Sequence, residues 1–115
     1  MASESILTSI KKLLGPEEAD TNFDTDIAMH INTALMRLNQ LGIGPAKGYS
    51  ITDKTQVWSE LLGDREDLEG VKTYIYLKTR LVFDPPQSGF LVDSIKEQIK
   101  ELESTLNYQA EGGTV

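Results

Sequence analysis

Val71–Pro86, VKTYIYLKTRLVFDPP, is the stretch whose reading decides the fold. At 100° per residue Val71, Tyr74, Ile75, Leu81 and Val82 fall on one broad helical face, and Leu77 widens it. Tyr76 and Phe83 lie on the opposite side. A helix apolar nearly all round belongs in the middle of a bundle, or between a bundle and a partner subunit. It must also stop abruptly, because Pro85 disfavours the α region for Asp84 and consecutive prolines cannot continue the hydrogen-bond ladder. The first set is therefore expected in the core, and Tyr76 and Phe83 at a subunit contact.

Downstream, Ser88 can cap a last helix over Gly89–Ala110, about 30 Å long. Its Leu91, Val92, Ile95, Ile99, Leu102 and Leu106 form one stripe. Glu97–Lys100 and Lys100–Glu103 are expected to pair along the wet face. Residues 1–110 read as a single helical domain, and residues 111–115, with Gly112 and Gly113, as a flexible tail.

Upstream, Ser3 or Ser5 caps a first helix with Ile6, Ile10, Leu13 and Leu14 on one stripe, ended by Gly15-Pro16. Asp24 is expected to cap a second helix whose Ile27, Ile31, Ala34, Leu38 and Leu41 share a face. Met29 and Met36 sit opposite, as adaptable surface residues or as a second stripe against a neighbouring subunit. A glycine-punctuated loop follows, with residues 49–51 briefly extended. A short helix over Lys54–Leu62, capped by Thr52 or Asp53, carries the single tryptophan, Trp58, as a core plug. No strand pattern competes, so the fold class is all-α, a small bundle of about five helices.

At 115 residues, the scaling of surface with mass gives about 6,300 Å² folded against about 18,600 Å² unfolded, enough for one modest core. Eleven Lys and Arg against 18 Asp and Glu give a net charge of -7. That balance opposes a groove that grips phosphates. The absence of cysteine excludes disulfides, thiolate nucleophiles and zinc–thiolate sites. The N-terminus lacks the pattern of a signal peptide, and no stretch approaches a membrane span. A soluble intracellular chain is expected.

Catalytic chemistry finds little support. His30, the only histidine, borders the apolar face of the second helix without a patterned nucleophile or carboxylate partner. The GIGPAKG loop, residues 42–48, lacks phosphate-cradling spacing. An all-α metal-dependent hydrolase would draw on Glu66, Asp67, Glu69, Glu97 and Glu101, but Glu97 and Glu101 flank Lys100 on the wet face. A helix-turn-helix reading fails on its long connecting loop and on the charge. From the residues alone, the chain is a non-enzymatic interaction module without cofactor or metal.

SILTSIKKLLG, FDTDIAMHINTALMRLNQLGIG, WSELLGD and VKTYIYLKTRLVFDPPQS together resemble the phage head-to-tail connector proteins, the head-completion adaptors of long-tailed phages. The resemblance covers nearly the whole chain, and its most specific part is the stretch from Tyr74 to Pro86. It implies a virion protein, assembled in the host cytoplasm, that forms a twelve-fold ring under the portal. That ring extends the DNA channel without binding DNA specifically and receives the next tail-side stopper or completion protein. Against this background Met29, Met36, Tyr76 and Phe83 are the expected subunit-interface residues. Leu106, Asn107, Tyr108, Gly112 and Gly113 are expected to dock on the portal, and the loop of residues 42–53 to face the lumen or the tail-side protein.

Overall fold

The computed structural model describes residues 4–15, 21–65 and 68–111. Among them five helices follow in order: α1 (Ile6–Leu14), α2 (Asp24–Gln40), α3 (Trp58–Leu62), α4 (Gly70–Phe83) and α5 (Gly89–Ala110). The all-α bundle expected from the periodicity is the fold observed. α4 occupies its middle, packing against α1, α2 and α5. Val71, Tyr74 and Ile75 are fully buried there, and the helix ends at Phe83, one residue before the Asp-Pro-Pro break.

Local chemistry sets the other ends. Ser5 Oγ accepts the Thr8 N–H at 3.2 Å, and Gly15 closes α1 in the left-handed region. Asp24 does not cap α2. Phe23 takes that position without a side-chain bond, and Asp24 becomes the first helical residue, its carboxylate 2.8 Å from Lys11 Nζ. Lys11 is only 3% exposed. Its place in the last turn of α1 suits the helix dipole, but its burial requires the counter-charge that Asp24 supplies.

The short third helix starts later than its apolar edge suggests. Residues 52–56 form a turn in which the Gln56 side chain accepts from Thr52 and Asp53 N–H, and Asp53 accepts from Thr55. Val57 is drawn instead into an isolated antiparallel bridge with Ser5. Ile6 N–H donates to Gln56 C=O at 3.0 Å and Trp58 N–H to Glu4 C=O at 3.2 Å. Trp58 plugs against the core, its indole N–H donating to Ser9 Oγ at 3.0 Å. Just before this turn, Asn32 of α2 mimics a strand partner: its amide accepts from Ile51 N–H at 2.7 Å and donates to Ile51 C=O at 2.9 Å. At Gly44, φ is +91° and a Cβ would sit 2.9 Å from Leu61, so only glycine lets this loop approach α3.

Three side chains of the central stretch sit differently from their helical angles. Val82, placed in the core by its helical angle, is 61% exposed. It borders a groove between α2 and α4 with His30, Thr33 and Leu81. Phe83, expected to point outward, packs edge-on against Phe23 with ring centroids 5.6 Å apart. Tyr76 is likewise half-buried against the core rather than free. The helical angle sets direction; whether a neighbour stands there is decided by where the other helices end.

Candidate interaction surfaces

Three features of the bundle bear on partners: a polar clamp on α5, a trough beside α2, and an apolar corner where α4 turns into α5. The clamp begins with Tyr74, whose ring is buried in the core and whose hydroxyl therefore needs a partner. It donates to Glu103 Oε2 at 2.6 Å, while Arg37 of α2 donates to Glu103 Oε1 at 3.2 Å. Lys78 Nζ lies 5.9 Å from the centre of the Tyr74 ring. Burial and the adjacent carboxylate push the Tyr74 hydroxyl well above its ordinary range. Burial acts to raise Glu103 too, but the Tyr74 hydrogen bond, Arg37 and Lys78 outweigh it and hold the carboxyl below its ordinary value. Glu103 thus faces into the bundle, not along the wet surface toward Lys100.

The same end of α5 is tied down twice more. Asn107 Nδ2 donates to Leu41 C=O at 3.1 Å, and Arg65 donates to Gln109 C=O. Among the expected docking residues, Leu106 is 1% exposed and is a core side chain, which corrects its placement on a docking surface. Asn107 is half-buried and engaged, whereas Tyr108 is 53% exposed beside it. Gly112 and Gly113 lie outside the described residues.

The trough runs along the outward face of α2, between that helix and residues 47–52. Met29 and Met36 form its rim, at 57% and 68% exposure, with Ala28, Leu35, Tyr49 and Ile51 deeper in. Its described lining contains one charged side chain, Lys47. The backbone of its far wall is held at Ile51 by Asn32, and Tyr49 is pinned by its hydroxyl donating to Glu60 at 2.8 Å. The two methionines are thus brought together on one free face. Tyr76 and Phe83 lie on α4, away from that trough.

The corner lies at the opposite end of α5 from the clamp. Leu91, the first residue of the apolar stripe, is 50% exposed, and Phe90, on the other side of the helix, is 81% exposed. The amphipathic period located Leu91, whereas Phe90 falls outside the stripe and its exposure emerges only in the structure.

No group of three or more metal-ligating side chains gathers among the described residues. Glu66 and Asp67 lie outside them, while Glu97 and Glu101 are exposed. Among the described residues no helix is long and apolar enough to cross a membrane.

A family model for phage connector proteins matches residues 6–113. No curated protein and no solved structure matches significantly.

Proposed function

This chain belongs to the phage connector protein family, and from that premise we propose that it is a ring-forming adaptor between portal and tail. The family identity establishes a structural head–tail connector and a virion component. In the proposed reading twelve copies assemble under the portal, extend the DNA channel and receive the next tail-side protein, without catalysing a reaction. The match over residues 6–113 is the observation that supports this reading.

The surfaces suggest how the work divides. Tyr108, exposed beside the clamped Asn107, together with Gly112 and Gly113, serves portal docking, with Leu106 bracing the helix from behind. Met29 and Met36 serve the subunit contact, where their flexible side chains can adapt to a neighbour. The loop of residues 42–53 serves the lumen or the tail-side partner. The net charge of -7 suits a channel through which DNA slides without being held.

Light scattering across protein concentration, with and without the portal protein, tests the assembly. A monomer converting to a closed ring on the portal is the expected result. A stable compact dimer indifferent to portal would instead mark a small acidic interaction module of another kind. Docking is tested by deleting residues 112–115 together with Tyr108→Ala; undiminished portal binding would remove the C-terminal end from the contact.

A further inference from the structure

The last turn of α5, Asn107-Tyr108-Gln109-Ala110, contains no basic residue, and an acid, Glu111, follows it. The final carbonyls of a helix lack partners within it and carry the negative end of its dipole. This terminus therefore calls for a donor and a cation from elsewhere in the chain. Arg65 supplies both: its guanidinium donates to Gln109 C=O across 44 residues of sequence. The arginine is itself anchored. Its N–H donates to Leu62 C=O at 3.2 Å, just past α3, whose Leu61 is in the core.

The same turn also meets the end of α2. Asn107 Nδ2 donates to Leu41 C=O at 3.1 Å, and a Cβ on Gly42 would lie 3.4 Å from Ala110 Cβ. Tyr108 thus stands between two residues that are each bonded to a distant segment, and it is 53% exposed. Successive helical positions lie about 100° apart, so fixing Asn107 and Gln109 fixes the direction in which the Tyr108 side chain leaves the helix. A helix end without such ties frays, and its residues must then be ordered when a partner binds.

We infer that Arg65 is a positioning residue for portal docking: by capping α5 from outside the helix, it keeps the last turn formed and Tyr108 aimed. This rests on the reading above in which Tyr108 meets the portal. Arg65 acts through the helix end rather than through a portal contact of its own. Its effect is pre-organisation, since a turn already formed binds without the ordering cost of a frayed one. The core contacts of α5, at Ile95, Ile99 and Leu106, are made by other side chains, so the exposed Arg65 is dispensable for the fold.

Amide hydrogen exchange, thermal unfolding and portal affinity of the full chain test this together. Arg65→Ala should speed exchange of the Glu111 N–H, which donates to Asn107 C=O. It should leave exchange at Ile95 and Ile99 unchanged and keep the thermal midpoint within about 2 °C. Portal binding should weaken about two- to fivefold, and Arg65→Lys, which keeps a cation at the helix end, should recover most of the loss. In a Tyr108→Ala background, Arg65→Ala should weaken binding no further, because nothing remains to be positioned. Unchanged exchange at Glu111 would overturn the cap. Binding that weakens with Tyr108→Ala but not with Arg65→Ala would overturn the positioning role and leave the docking reading intact. Equal losses from Arg65→Ala in both backgrounds would overturn it as well, by marking Arg65 as a portal contact. Undiminished binding in Tyr108→Ala would overturn the docking reading and, with it, the task assigned to Arg65.

Discussion

Single residues divide sharply between those that hold the fold and those left over for partners. Thr79 is fully buried on α4, and its hydroxyl has no hydrogen-bond partner among the described residues. Thr79→Val keeps the shape and removes an unpaired polar atom, so chemical denaturation should show a gain of about 1 kcal/mol. Leu106 and Tyr108, two residues apart, should behave oppositely. Leu106→Ala empties a site that is 1% exposed and should cost about 2–4 kcal/mol. Tyr108→Ala should leave the thermal midpoint within about 2 °C while weakening portal binding. Periodicity placed both on α5, but it could not tell a core leucine from a docking one. The stripe is equally apolar wherever the helix overhangs its support.

At the scale of elements, α5 is fastened at one end and free at the other. Glu103 is the centre of its fastening, bonded at once by Tyr74 and Arg37. Its carboxyl is held below the ordinary value, so its contribution to stability is full above about pH 4.5 and is lost as pH falls through the depressed folded value. Tyr74, held above its ordinary value, behaves conversely: its contribution is full below about pH 10 and fades as pH rises through the folded value. Glu103→Gln should cost about 1 kcal/mol at neutral pH and flatten the acid limb of a stability–pH profile. A Tyr74→Phe/Glu103→Gln cycle should be non-additive, since the two groups share one bond. The sequence offered a clue to this clamp: a tyrosine on a core face must find a partner for its hydroxyl. Nothing local named Glu103, 29 residues on, because the choice depends on how α5 folds back over α4. The Val57–Ser5 bridge escaped for the same reason. The apolar edge of Val57 suited a helix, and a pairing with the start of the chain overrode it.

For the whole molecule, charge and architecture point the same way. With a net charge of -7, the assembled protein should give no electrophoretic shift with random duplex DNA even at low salt, where any phosphate-gripping surface would be most evident. A reproducible shift would require a basic lumen and would change the account of the channel. The helical class, the α4 stop and the extent of α5 all follow from short-range rules: the 3.6-residue period, capping hydroxyls, and prolines that end a ladder. These act within a few residues and depend little on context, so the amino-acid sequence by itself determined them. Which apolar side chains stayed outside was decided only by the tertiary structure. Val82 and Leu91 lie on stripes as apolar as their buried neighbours, yet they are 61% and 50% exposed. Burial depends on what stands opposite, and what stands opposite is set by contacts between residues far apart in the chain.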